Sequence, residues 1–409
     1  MKKLALFFAT IAPGLFLIGY NIGTGSVTTM ASAGAKYGMT MFWPLLLSIV
    51  FTYILVIAFG RYTVVTGETA LFSFRKNFGT GISAFVLTSL LFSEWVSCIG
   101  VMGVVVQVVQ EWSRPLTASG NGFNQVLLVF LFGGLLYILF LNGKQHFFEK
   151  ILAIFVAIMG ISFILTMFMV IIDPKEVITG LIPRLPSEGS AFLIIAGMVG
   201  TTMGGILYVV RSILVQEKGW GINDLKIVKR DALISVALMF VLSVAVMASA
   251  AGTLYIQGLE IDNAIDMVKL LEPLAGRFAI SIFVAGIVCA GLSSLFPIIL
   301  LAPWLLADYS NKPRNMKSNQ TKLLVLFGVL LGFVIPVFGG RPVMVMITSQ
   351  ALVAMATPVV VGLMFLLLNN KKIMGKYTSG LKMNIAMVII FLFTVLISII
   401  GLVGIFNLL

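Results

Sequence analysis

The chain has 409 residues, of which 60% are hydrophobic and only 10% are charged, and its mean hydropathy is +1.11. A water-soluble domain cannot bury that much apolar surface, so the composition predicts an all-α protein that crosses a membrane many times. The net charge of +12 could suggest a nucleic-acid partner, but the positions of the basic residues follow membrane topology instead.

Eleven apolar stretches are long enough to cross a bilayer as helices, since one span needs about 20 residues. They cover 4–34, 40–66, 82–110, 122–141, 148–172, 190–217, 228–254, 276–306, 321–338, 342–369 and 382–408. The first is too long for a signal peptide and has no cleavage site before a polar start, so we interpret it as a retained span. The sequence FGGRP at 338–342 predicts a tight turn between the ninth and tenth spans.

The basic residues orient these spans. With a cytoplasmic N-terminus, all but seven of the 27 Lys and Arg residues lie on the cytoplasmic side, which predicts an extracellular or periplasmic C-terminus in a cell-membrane protein. The seven exceptions are Lys36, Arg114, Lys175, Arg184, Lys269, Arg277 and Arg341. The most basic cytoplasmic loop is LNNKKIMGKYTSGLK at 368–382, for which phosphate binding is the alternative interpretation.

Few side chains suit catalysis or a resident metal. Cys98 and Cys289 lie within apolar stretches, where we interpret them as packing residues rather than a disulfide or a metal pair. The single histidine, His146, is predicted in a short charged loop. This pattern argues against Ser–His or Cys–His catalysis, so we predict a protein that is not an enzyme and has no cofactor.

Two of the spans carry polar, glycine-bearing interruptions near their centres. The first contains GYNIGTGSVTT at 19–29, and the sixth contains MVGTTMGGILYVV at 198–210. Matched interruptions five spans apart are typical of transporters built from two inverted five-helix repeats, with the substrate site at the two breaks. The alternative is that these glycines only allow close helix packing.

This pattern predicts the domain organisation. The first repeat would cover 1–172, an extracellular linker 173–189, and the second, inverted repeat 190–369. A cytoplasmic loop and an eleventh transmembrane helix would follow at 370–409. Backbone groups freed at each break cannot be left to lipid, so they must bond to protein, water or a solute.

The sequence around these breaks resembles the Nramp transporters, which co-transport protons with Mn, Fe and related divalent metals. APGLFLIGYNIGTGSVTTMASAGAKYGMTMFW resembles the family's first span, and RYTVVTGETALFSFR its R-L-G-V-V-T-G loop. YVVRSILVQ resembles the L-H-S-x-L-V-Q that follows the sixth-span break. VCAGLSSLF and TSQALVAMATPVVVGLMFLLLNNKKIMGKY resemble the eighth and tenth spans. The resemblance implies the inverted-repeat transporter fold.

The metal-binding motifs of that family are altered here. Its first-span D-P-G-N, which supplies an aspartate and an asparagine to the metal, falls on GTGS at 23–26. Its sixth-span M-P-H falls on Gly204, Gly205 and Ile206, with Met203 one residue earlier. In the tenth span Gln350 keeps the first glutamine of the family, and Ala356 replaces the second.

The remaining candidate substrate ligands are neutral. They are Asn21, Gly23, Thr24, Gly25, Ser26, Thr28, Thr201, Thr202, Met203, Gly204, Gly205 and Gln350. Neutral oxygens suit a cation that keeps part of its water shell, as Mg²⁺ does, or a small organic solute, better than dehydrated Mn²⁺ or Fe²⁺. We also expect that the backbone at Gly23 is one that only glycine adopts easily.

The family's proton route is also only partly present. Its third-span D-L-A-E, aligned with a gap, matches Glu94, Trp95, Val96 and Ser97, which leaves Glu94 as the one carboxylate expected deep within a span. An ionisable residue there is a functional candidate. The family histidine is Arg211 here, which cannot relay a proton, so we expect Glu94, Ser97 and Arg211 to line the ion pathway with Glu94 near Arg211.

Three functions remain open. The first is a secondary transporter for a divalent cation of the Mg²⁺ or Mn²⁺ class, with altered or absent proton coupling, and the second is a transporter of a non-metal solute. The third is a non-transporting sensor built on the same fold. In each case the expected partners are a small ion or solute and the lipid bilayer, without an obligate protein partner.

Overall fold

The structure, a computed structural model, describes residues 23–143, 145–186, 189–261, 263–271 and 279–407. Asn21 and residues 4–22 of the first predicted span therefore lie outside the described residues, as do Lys2, Lys3 and Arg277. The regular structure of the described ranges is helical, without a β-strand. This confirms the predicted all-α class.

Fifteen α-helices follow one another along the described chain. They are α1 (Thr24–Tyr37), α2 (Phe42–Thr66), α3 (Ala70–Ser113), α4 (Gln125–Asn142), α5 (Gln145–Met169), α6 (Pro174–Thr179), α7 (Gly189–Met203), α8 (Gly205–Glu217), α9 (Leu225–Thr253), α10 (Ala279–Tyr309), α11 (Asn319–Leu330), α12 (Val334–Phe338), α13 (Pro342–Asn369), α14 (Lys371–Met374) and α15 (Leu381–Phe406). A 3-10 helix, Ala264–Leu271, lies between α9 and α10.

Nine helical stretches among the described residues are long and apolar enough to cross a membrane. From the second predicted span onward, a helix occupies each expected stretch, so the protein is a multi-pass membrane protein. The largest difference is in the third, where α3 begins at Ala70 rather than near residue 82 and changes direction at Gly79, whose φ of 85° suits glycine. His146, expected in a loop, lies in the first turn of α5.

Local sequence explains several helix ends. The side chain of Asn124 accepts hydrogen bonds from the backbone at the start of α4, as a helix N-cap does. Gly339 and Gly340 have φ values of 81° and 136°, and they separate α12 from α13, which starts at Pro342. These left-handed positions confirm the tight turn expected from FGGRP.

The sixth span is broken where the sequence predicted. Helix α7 ends at Met203 and α8 begins at Gly205, while Gly204 between them is extended, with φ −65° and ψ 137°. In the first span, α1 begins at Thr24, directly after an extended Gly23. The two described helix starts therefore coincide with the two glycine-bearing interruptions.

Protein side chains bond the backbone groups that the break in the sixth span frees. The N–H of Gly205 donates to Thr357 Oγ1 of α13 at 2.9 Å. The hydroxyl of Thr52 on α2 donates to the carbonyl oxygen of Thr202 at 2.8 Å. Lipid cannot bond these two backbone groups, so side chains of the protein do. The two hydrogen bonds hold both sides of the break in place.

Helix α13 packs against α3, α7, α8 and α15. Its backbone approaches α7 so closely that a Cβ atom on Gly200 would lie 1.8 Å from the carbonyl oxygen of Gln350. A Cβ on Gly204 would lie 2.3 Å from Val353 Cγ1. Close packing, the alternative interpretation of these glycines, therefore operates together with the break at Gly204.

This contact predicts a strong effect of Gly200→Ala. Because the added methyl group would collide with a backbone oxygen rather than a movable side chain, the variant should lose about 2 kcal/mol or more of stability. A lower melting temperature of the purified protein in detergent would show this. Gly134→Ala on α4 is the matched control, because nothing lies within 4 Å of its Cβ position; an equal melting temperature for both variants would contradict the packing described.

Candidate functional site

A small cavity lies where both interrupted spans meet three further helices. Its volume is about 30 Å³, and α1, α3, α7, α8, α10 and α13 all contribute to its wall. Eight of the residues predicted for the site or the ion pathway line it: Gly23, Gly25, Ser26, Glu94, Ser97, Thr201, Gly204 and Gln350. The structure thus brings together residues that are more than three hundred positions apart in sequence.

The start of α1 forms one wall of the cavity. Gly23 precedes the helix with φ −94° and ψ −175°, an extended conformation that any residue adopts, so the expectation of a glycine-only backbone there is wrong. Gly25 is restricted by space instead, since a Cβ would lie 2.5 Å from Met346 Cε and 2.8 Å from Gln350 Nε2. Ser26 supplies a hydroxyl beside them.

Glu94 brings a carboxyl group to this site. It lies on α3, its side chain is buried with 2% exposure, and it lines the cavity together with Ser97, one turn further along. Of the described residues that line the cavity, Glu94 is the one with an ionisable side chain. Its predicted position in the protein interior is confirmed.

Helices α10 and α13 add two polar lining residues that sequence reasoning missed. Ser294 contributes a hydroxyl, and Met346 contributes a thioether to a site where we expected sulfur only from Met203. Met346 lies four residues before Gln350, hence on the same face of α13, and this spacing was the signal available in the sequence. Met203 is fully buried but does not line the cavity.

Other predicted ligands point elsewhere. Thr202 donates its hydroxyl to Met198 O at 2.8 Å and contacts Ser48 Oγ at 2.5 Å, so it ties α7 to α2. Thr24 and Thr28 are fully buried on α1 outside the cavity wall, and their hydroxyls lack a hydrogen-bond partner in the described part of the chain. Gly205 also lies outside the wall, where its N–H is bonded to Thr357.

Arg211 does not take Glu94 as its partner. Its guanidinium forms an ion pair with Asp231 on α9, and both side chains have 0% exposure. The expected pairing of Glu94 with Arg211 is therefore wrong, and Asp231 is a second fully buried carboxylate. Asp231 was missed because it sits only a few residues into its predicted span, beside the basic residues of a loop.

The polar groups of the cavity wall are neutral oxygens, one carboxylate and one thioether, and aliphatic side chains make up much of the rest: Val101, Ile206, Leu207, Ile298 and Val353. Among the described residues, no group of three or more His, Cys, Asp or Glu side chains comes together to hold a metal ion. Cys98 and Cys289 are free thiols, as the sequence analysis expected. The arrangement can hold one small polar or cationic species, with Glu94 supplying the charge.

Comparison with known proteins identifies relatives of this chain. The Nramp family, described as natural resistance-associated macrophage protein-like, matches residues 14–404, which confirms the resemblance seen in the sequence. The divalent metal cation transporter MntH of Clostridium acetobutylicum is 28% identical over 225 residues, covering 52% of this chain and 50% of that protein. The match thus spans about half the length of that relative.

Longer matches have lower identity. MntH of Caldanaerobacter subterraneus subsp. tengcongensis is 22% identical over 395 residues, which cover 92% of this chain and 88% of that protein. The crystal structure of a manganese transporter from Eremococcus coleocola matches with a TM-score of 0.70 and 14% identity, covering 97% of this chain and 86% of that one. The structural likeness shows a shared fold.

Adjacent threonines at the end of α7 allow a matched test of this site. Thr202→Val removes the hydroxyl that bonds Met198 and Ser48, so it should cost about 1–3 kcal/mol and lower the melting temperature. Thr201→Val changes a hydroxyl that lines the cavity, so it should leave the melting temperature within about 1 °C of the wild type. Thermal unfolding of both purified variants measures this, and the reverse order of stabilities would contradict the assignment.

Proposed function

Because the chain belongs to the Nramp family, we propose that it is a secondary transporter that moves a small cation through the cavity at the two helix breaks. A divalent cation of the Mg²⁺ or Mn²⁺ class fits best. The carboxylate of Glu94 at the meeting point of both interrupted spans is the observation that carries this proposal.

The size of the cavity supports an ion over an organic solute. A volume of about 30 Å³ has room for one or two water-sized bodies, which is too little for most metabolites. A cation held in this small cavity would lose most of its bound waters. Oxygens from Ser26, Ser97, Thr201 and Gln350 would then take the place of the lost waters.

The same wall predicts weak binding of dehydrated Mn²⁺ and Fe²⁺. Glu94 supplies a single negative charge, and the family's first-span aspartate is replaced by Gly23. The thioether of Met346 provides one soft ligand, which does not replace the missing charge. We therefore expect Mn²⁺ and Fe²⁺ to bind with dissociation constants in roughly the millimolar range, as at low-charge oxygen sites.

Proton coupling would differ from the family pattern. Arg211 stays protonated at any pH that cells reach, and its guanidinium forms an ion pair with Asp231. Glu94 then remains as the candidate proton carrier among the cavity-lining residues. We propose coupling through Glu94 alone or uncoupled transport.

The membrane arrangement follows from the same proposal. The repeats would cover 1–172 and 190–369, joined by an extracellular linker at 173–189, which contains the short helix α6. The segment 370–409 would hold the basic cytoplasmic loop and α15. With the N-terminus in the cytoplasm, α15 would end outside the cell membrane.

Uptake into proteoliposomes tests the transport proposal. Wild-type protein should take up Mg²⁺ or Mn²⁺ faster than empty liposomes do, under an imposed inside-negative potential. Uptake of neither ion would favour the sensor, and uptake of a metabolite instead would favour the non-metal alternative.

Glu94→Gln should reduce initial divalent-cation uptake by about tenfold or more, because it removes the charge that offsets dehydration of the ion. Glu111→Gln is a matched control on the same helix, where the acid pairs with Arg114 at the surface. That variant should transport like the wild type. Equal uptake by both variants would show that Glu94 does not contact the substrate.

Restoring the family motif should raise affinity for Mn²⁺. Gly23→Asp adds a carboxylate at an extended position directly before α1, where aspartate is a favourable N-cap, and Ser26→Asn adds an amide oxygen. Together they should lower the Mn²⁺ dissociation constant by about tenfold or more. Calorimetry measures both proteins, and micromolar Mn²⁺ binding by the wild type would overturn the weak-site prediction.

A further inference from the structure

The buried ion pair between Arg211 and Asp231 lies close to the cavity but outside its wall. Leu207, which lines the cavity, stands one helical turn before Arg211 on α8. At 1.5 Å per residue, Arg211 lies about 6 Å along the helix axis from Leu207 and about 10 Å from Gly204. The backbone of Arg211 therefore lies within about two helical turns of the cavity wall.

Arginine cannot lose its proton in a protein, so the charge of Arg211 needs a fixed counter-charge. Two other contacts of Arg211 within the described chain are with uncharged groups, which cannot neutralise its charge. Nη2 lies 3.5 Å from the carbonyl oxygen of Val228, and Cζ lies 5.7 Å from the ring centre of Trp220. With both charged side chains at 0% exposure, solvent screens little of this field.

We propose that Asp231 is a specificity-determining residue, whose carboxylate cancels the field of Arg211 at the cavity and so permits a cation to bind there. This inference rests on the proposed function, in that the substrate carries positive charge. Without the Asp231 charge, Arg211 would repel a divalent cation through a low-dielectric interior, which weakens binding by about tenfold or more.

Helix α8 keeps other polar ties when the carboxylate is neutralised. Ser212 Oγ accepts from the N–H of Ala70 at 2.9 Å. Gln216 donates to the carbonyl oxygen of Gly67 at 2.8 Å, and Tyr208 shares a hydrogen bond of 3.0 Å with Thr52. These contacts hold α8 against α2 and the start of α3, so Asp231→Asn changes chiefly the charge.

Steady-state uptake of Mg²⁺ and Mn²⁺ into proteoliposomes tests the inference. For Asp231→Asn, we expect KM for the transported ion to rise by about tenfold or more, with the maximal rate within about threefold of the wild type. Glu217→Gln is the matched control, since it breaks a carboxylate–arginine pair with Arg314 at the exposed end of α8, the helix that carries Arg211. Its KM should stay unchanged.

A raised KM in Asp231→Asn could come from the uncancelled Arg211 charge or from loss of a structural contact. The double variant Arg211→Met/Asp231→Leu distinguishes these two explanations. Removing both charges should return KM to within about threefold of the wild type. An unchanged KM in Asp231→Asn, or a raised KM in the double variant, overturns the inference. If Asp231→Asn does not fold, Arg211→Met replaces it: this variant leaves the Asp231 charge unopposed, so KM should fall by about tenfold or more, and an unchanged KM overturns the inference. Absent uptake by the wild type rejects the proposed function itself, and the inference with it.

Discussion

Every backbone N–H and C=O group inside a membrane protein must find a partner within the molecule or its contents, and this requirement shapes the break in the sixth span. The chain ends one helix at Met203 and starts another at Gly205, and threonines on α2 and α13 bond the groups so released. The partners come from two different helices, so the break is a junction of three elements. Because Gly204 at this junction lines the cavity, a shift of any of the three elements would change the cavity wall.

The helix α13 has a double task at this junction. Its residue Thr357 bonds the break, while Gln350 and Met346 lie against Gly25 at the start of α1. One continuous helix therefore contacts both interrupted spans. Glycines on α1 and α7 allow this approach, which explains why the glycine-bearing interruptions also fit the close-packing interpretation.

The sequence predicted much of this arrangement from patterns that are local. Runs of apolar residues located the spans, and the Gly-Gly and Pro residues of FGGRP predicted the turn. Both signals lie within a few neighbouring residues of the chain. The break at Gly204 and the burial of Glu94 followed from the cost of polar groups in lipid. The predictions that were wrong depended on how each helix is rotated about its axis and on which residues distant in sequence it meets. Arg211 pairs with Asp231 rather than Glu94, and Met346 rather than Met203 faces the cavity.

The neighbouring residues Thr201 and Thr202 face different surroundings, since successive residues on a helix differ in direction by about 100°. This makes the length of α7 as important as its composition. Inserting or deleting a single residue between Gly189 and Gly200 would rotate the last turn by that angle and exchange a cavity hydroxyl for a packing one. Gene variants that change the length of this helix should therefore be eliminated during evolution, whereas loops such as 117–124 between α3 and α4 are free to lengthen.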